Sequence, residues 1–326
     1  MTNITKINEI YFKSMSGLMK SDISGVASFV RSGEAPPPPL TGDIGLFGGG
    51  LGGSERNIID YVIISTTGDA IDFGDLTRTR ADFAACSNST RGIFAGGEAT
   101  NSIDYITIST PGDAADFGDM TTDKKYSSAC SNSTRGIFAG GHNGSININV
   151  IEYITIDSTG DATNFGDLSA AKRVLAACAN TTRGLFGGGL TTGVINVIDY
   201  VTITTPGNST DFGDLTAARR YLSACSSSTR GVFAGGFTTG ASNIIDYVTI
   251  ASTGPATDFG DLTIAKYAMA ACASSTRGLF GGDQNGNSNV IDYITISTPG
   301  AAQDFGDLTV ARGYMASCSN CHGGLA

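Results

Sequence analysis

A phrase of seven residues sets the terms for this chain. RGIFAGG stands at 91–97 and again at 135–141, and returns as RGLFGGG at 183–189, RGVFAGG at 230–236 and RGLFGGD at 277–283. A partial copy, IGLFGGG, occupies 44–50. Three more phrases keep the same rhythm. An acid–tyrosine pair begins at Asp60, Asp104, Glu152, Asp199, Asp246 and Asp292, and a (D/N)FGD(L/M) box at Asp72, Asp116, Asn164, Asp211, Asp258 and Asp304. A small-residue run carries Cys86, Cys130, Cys178, Cys225, Cys272 and Cys318. Acid and box are 12 residues apart, box and cysteine 14, in all six copies. Units of roughly 47 residues at a fixed period bury their apolar faces against one another, so the chain is a closed or stacked array of six.

Each unit reads as four short strands. Ser, Ala and Cys fill the first, as in LSACSSS at 222–228, and GVFAGG is the second. The third, IIDYVTIAS at 244–252, alternates at period two and is rich in Ile, Val, Thr and Tyr, which suits a pleated surface. The fourth centres on TDFGDL. S-T-R-G separates the first two strands, and T-P-G-D or S-T-G-D the last two, each with turn chemistry. Four strands repeated six times predict an all-β fold, a six-bladed β-propeller over residues 44–326.

The ends of the array fit a closed ring. A cysteine stands eight residues before each repeated Phe, but eight before Phe47 stands Pro39, inside EAPPPPL, which cannot be a central strand. The run GYMASCSN at 313–320 is a first strand left over after the sixth repeat. It is expected to close the first blade so that no sheet edge stays open.

Composition narrows the function. Glycine supplies 45 of 326 residues, and charged residues only 15% against 40% hydrophobic, which argues against a disordered or strongly helical chain. The net charge is 20 − 30 = −10, with no basic cluster to hold a phosphate backbone, so nucleic acid is not an expected partner. No apolar run approaches the ~20 residues of a membrane helix, and the first twenty residues lack the apolar core of a secretory signal. Synthesis in the cytoplasm is the expectation.

The repeated motifs belong to the scaffold. A DFGD box could suggest a kinase metal site, but that chemistry needs single copies of a lysine strand, a Gly-rich loop and a catalytic-loop Asp. Aspartates such as Asp75 and Asp261 are expected to cap turns, and the six cysteines to act as small hydrophobes in crowded inner strands. Two cation positions also repeat. Arg80, Lys124, Lys172, Arg219, Lys266 and Arg312 hold one, and Arg91, Arg135, Arg183, Arg230 and Arg277 the other. With the acid of the acid–tyrosine pair they are expected to form inter-blade or turn pairs. Cys318, Cys321 and His322 offer three nearby ligands where a structural zinc takes four. No catalytic constellation, cofactor site or metal site is expected.

The order of small-residue strand, apolar strand ending in Gly-Gly, DYxxI strand and a fourth strand followed by TxA(R/K) resembles the kelch repeat family of propellers over roughly 44–322. Phe73, Phe117, Phe165, Phe212, Phe259 and Phe305 stand where ordinary kelch repeats carry tryptophan. The wording NVIDYITI, GDATDFGDLT and CSNSTRG also resembles virion-associated proteins of tailed bacteriophages. That second resemblance implies a particle component, a fibre or decoration protein on the head or tail present in multiple copies, rather than an enzyme. A glycan- or protein-binding kelch propeller at a bacterial cell surface is the alternative.

Two parts do not repeat. The stretch between the second glycine and the acid–tyrosine pair varies from 7 to 11 residues and holds Glu55, Arg56, Glu98, His142, Asn143, Thr192, Phe237, Asp283 and Gln284. Loops on a rigid ring are the expected recognition face, for a host-surface glycan or receptor. Residues 1–43 carry Ile7, Tyr11, Met15, Leu18, Ile23 and Val26 at helical spacing, then the Pro36–Pro39 spacer. Such a stripe cannot bury itself alone, so residues 1–35 are expected to dock on other virion proteins. The segment enters at the start of a second strand, opposite the variable loops in an antiparallel blade.

Overall fold

The computed structural model describes residues 39–98 and 100–325. The expected docking residues Ile7 to Val26 lie outside that range. What is described is an all-β six-bladed propeller, each blade a four-stranded antiparallel sheet. The fourth blade is representative: Ala176–Ala179 is innermost, then Arg183–Gly187, Val197–Thr202 and Thr210–Asp214 outermost. The first blade joins the two ends of the ring. Ala316–Ser319 pairs antiparallel with Ile44–Gly48, setting Cys318 opposite Leu46, and Asn320 Oδ1 accepts a hydrogen bond from the Ile44 amide at 2.8 Å.

The core lies between blades rather than within them. One apolar cluster joins Cys86, Ile93 and Phe117 of the second blade to Phe138, Ile154 and Ile156 of the third, and the same mixing recurs around the ring. In every blade the tyrosine of the acid–tyrosine pair meets the box Phe edge to face, at 5.9–6.2 Å between ring centroids. A β-bulge falls at the acid in each third strand, as between Ile198 and Asp199. A bulge re-aims the side chain that follows it, and here it accompanies an acid buried against the neighbouring blade.

That acid meets the repeated cation across the blade boundary. Arg80–Asp104, Lys124–Glu152, Lys172–Asp199, Lys266–Asp292 and Arg312–Asp60 lie at 2.7–3.1 Å, and Arg219 pairs with Asp246 in the same way. All twelve side chains are at most 1% exposed. A threonine just past the box, Thr309 for example, donates its hydroxyl to the same acid, Asp60, at 2.7 Å. Burial pushes the Lys172 ammonium and the Arg219 guanidinium below their ordinary values, and the paired acid opposes that push. The second cation position is also inter-blade. Arg183 lies 4.7 Å above the Tyr200 ring of its own blade and donates to the Ile250 carbonyl of the next.

Across the boundary, amides of the box are capped by acids in the turn of the following blade. Asp113 Oδ1 accepts from the Asp75 amide and Asp161 Oδ1 from the Asp119 amide, at 3.1 and 3.0 Å. Close approach demands the box glycine: a Cβ on Gly166 would stand 2.3 Å from the Gly207 carbonyl oxygen.

Two features cap the channel at the ring's centre. On one face, the residues four before each cysteine, Asp82, Tyr126, Val174, Tyr221, Ala268 and Tyr314, all take left-handed conformations with φ of 53–62°. Each amide donates to the carbonyl of the residue at this position in the preceding blade, at 2.7–3.0 Å, and the six bonds close a circle. Left-handed backbone costs about 1–2 kcal/mol for a residue with a Cβ, and these hydrogen bonds offset it. On the opposite face, residues 321–325 fold across the channel. His322 Nε2 lies 3.0 Å from the Ser87 carbonyl and 3.3 Å from Ser131 Oγ, in different blades. Gly323 and Gly324 lie so close to the Ser227 and Ser131 carbonyls that neither could carry a Cβ.

Candidate binding face

The variable loops rise on the face that carries the circle of left-handed residues, and each is tied to the connection entering its own blade's inner strand. His142 exchanges two backbone hydrogen bonds with Lys125, and Phe237 does the same with Arg220, at 2.7–3.1 Å. Gln284 donates its amide to the Tyr267 carbonyl at 3.1 Å. The loops are therefore small hairpins braced against a rigid rim.

The residues singled out from sequence occupy different stations on it. Glu98 is exposed and reaches Lys125 Nζ at 2.6 Å. Asn143 is exposed, and its side-chain oxygen accepts from the Ser145 and Ile146 amides, closing its own turn. His142 Nδ1 accepts from the Gly144 amide; burial, with Arg173 and Lys125 nearby, holds its pKa below the ordinary value. Thr192 is exposed at its loop tip. Glu55 is bridged to Leu51, and Arg56 donates to the Gly52 carbonyl, so both serve their own hairpin. Phe237 lies 5.2 Å from the Tyr267 ring. Asp283 is fully buried, accepting from the Tyr267 and Asn285 amides, and its pKa is raised by desolvation.

What the structure brings together is a set that the sequence reading passed over. Asp82, Tyr126, Val174, Tyr221, Ala268 and Tyr314 line the mouth of the central channel, a shallow bowl of about 80 Å³. Tyr221 stands among three rings, with centroids 6.1 Å from Tyr126, 6.1 Å from Tyr267 and 5.6 Å from Tyr314. Cations lie over these rings: Lys125 and Arg173 over Tyr126 at 5.3 and 5.7 Å, and Arg220 over Tyr221 at 5.7 Å and Phe237 at 5.3 Å. Desolvation pushes Asp82 up to about 7 against the opposing pull of Lys125, and raises the Tyr126, Tyr221 and Tyr314 hydroxyls. A signal was present in the sequence. The position four before each cysteine reads D, Y, V, Y, A, Y, a fixed phase whose residue type is not fixed.

The chain enters from the other face. The first blade has Ile44 where the others have Arg91, Arg135, Arg183, Arg230 or Arg277, so one of the six inter-blade arginine positions is vacant. The Leu40 amide takes it, donating at 2.7 Å to the Ser109 carbonyl, the counterpart of the Thr204 carbonyl that accepts from Arg135. Residues 39–43 thus lie with the 1–2 and 3–4 turns, opposite the tyrosine mouth.

Among the described residues no His, Cys, Asp and Glu side chains are grouped to hold a metal ion, and no helix is long and apolar enough to cross a membrane. No protein-family model matches the chain, and comparison with curated proteins gives no match.

Proposed function

We propose that the chain is a non-enzymatic component of a tailed-bacteriophage particle, a kelch-like propeller held by residues 1–35 and presenting its loop face to the host surface. The wording of its repeats supports the particle assignment. The observation that carries the display reading is the opposition of faces: Leu40 enters among the 1–2 turns, while the loops and the tyrosine mouth occupy the other side. A head held from one face leaves the other free to touch a glycan or receptor. The six repeated cysteines pack on a glycine of the neighbouring blade and the acid of each acid–tyrosine pair meets its buried cation, which supports a scaffold role for both.

The test is a pair of particle variants. Deleting residues 1–35 should abolish incorporation while the purified ring still melts cooperatively. Replacing the loop at 142–149 by the short loop at 98–101 should spare incorporation and alter adsorption. Full incorporation without residues 1–35 contradicts the docking role, and unchanged adsorption with the loop replaced contradicts the contact role.

A further inference from the structure

The mouth of the channel carries more information than the loops around it. In a chain of net charge −10, its rim holds three cations, Lys125, Arg173 and Arg220, and of these only Lys125 makes an ion pair among the described residues. Arg220 Nε is buried without a hydrogen-bond acceptor. The tyrosine rings hold these guanidiniums in place without neutralising them, so the rim offers positive charge and fork-shaped donors to an incoming anion. Asp82 is the acid lining the bowl, and with its pKa pushed up to about 7 it is only partly ionised at neutral pH.

Shape restricts the anion further. The bowl is about 80 Å³, enough to seat the edge of one six-membered ring. Tyrosine faces suit the C–H face of such a ring, and a bidentate guanidinium suits a planar carboxylate. A long polyanion would meet the acidic remainder of the molecule, whereas a single charge on one residue need meet only Arg173 and Arg220, Glu98 being already paired with Lys125. Resting on the display reading above, we propose that the mouth binds one carboxylate-bearing sugar residue of a surface glycan. Its ring lies against Tyr221, and its carboxylate is held by Arg173 and Arg220.

The full chain has no tryptophan, and four of its eleven tyrosines, Tyr126, Tyr221, Tyr267 and Tyr314, stand at the mouth, so a ligand-dependent change in tyrosine fluorescence that R173Q/R220Q abolishes reports on it. Titration with galacturonic acid should give saturable quenching with a dissociation constant of order 1 mM, as suits a small ligand with few contacts. Galactose and methyl galacturonate should bind at least about tenfold more weakly. R173Q/R220Q should cost about tenfold or more, R173K/R220K less, because the charge remains while the fork is lost. Circular dichroism melts of each variant establish that the ring is intact. Absence of saturable binding overturns the proposal. So does equal binding of the neutral sugars, equal competition by inorganic sulfate or an acidic peptide, or full affinity in a folded R173Q/R220Q. The outcome is separable from the display reading: binding by a chain absent from particles would uphold the site and sink the display. Incorporation and loop-dependent adsorption without sugar binding would do the reverse.

Discussion

Cys130 in the third blade fills the space that a side chain at Gly184 in the fourth would need: a Cβ there would stand 2.7 Å from its sulfur. The same knob and notch recur at all six boundaries, from Cys272 on Gly45 to Cys225 on Gly278. The glycine at this position is therefore fixed by the neighbouring blade's cysteine. G184A should destabilise by about 1–3 kcal/mol through overpacking, and C130A should recover much of that loss in the double variant. Urea melts of the four proteins measure the coupling, and strict additivity would show that the two residues do not share this space. Burial raises the thiol of Cys178 to about 12, so native labelling by a thiol reagent should be slow at all six sites.

The buried ion pairs predict an asymmetry. K172M leaves Asp199 uncompensated in the interior and should cost about 3–5 kcal/mol, while K172M/D199L, which removes both charges, should recover most of it. Denaturant unfolding of the three proteins checks this. Equal stability of the single and double variants would mean that Asp199 reaches water.

Asp82 predicts how stability depends on pH. Its folded pKa, about 7, lies above the ordinary value of 3.8, so the folded state holds its proton more tightly than the unfolded one. This contribution is fully present below the unfolded pKa and is lost as pH rises through about 7. Lys125, Glu98 and Glu55 are the charged groups that act on it. D82N also tolerates the left-handed backbone. It should raise stability by about 1–3 kcal/mol at pH 8 and leave it nearly unchanged at pH 4. Thermal melts at the two pH values test this, and an equal shift at both would assign the effect to something other than titration.

Closure and plug separate by truncation. Ending the chain after Asn320 removes the channel-crossing turn but keeps Ala316–Ser319 and the Asn320 cap on Ile44. That protein should stay soluble with a modestly lower melting temperature. Ending it after Arg312 leaves Ile44–Gly48 as an open inner edge and should give aggregation. Soluble, cooperative melting of the shorter protein would contradict closure by this strand.

The fold was legible because the four phrases keep one period, and because Pro39 and 313–320 expose the seam. The pairing of Arg312 with Asp60 and its five counterparts was half legible: fixed phase showed that they were structural, and only topology showed that they cross the blade boundary. The tyrosine mouth was hidden by that same logic. Tyr126, Tyr221 and Tyr314 lie more than ninety residues apart, in connections whose direction depends on a left-handed residue that no propensity predicts for tyrosine. The C-terminal turn was hidden for a different reason. Its role depends on carbonyls of Ser131 and Ser227 that face the channel only once the ring has formed.

A density map of the purified particle at a resolution that orients the propeller tests the display account most directly. The account predicts the face bearing Leu40 and the 1–2 turns against the particle, with Tyr221 and the loops around His142 and Phe237 directed to solvent. A map with the tyrosine mouth buried against head or tail, or particles lacking the chain, would contradict it.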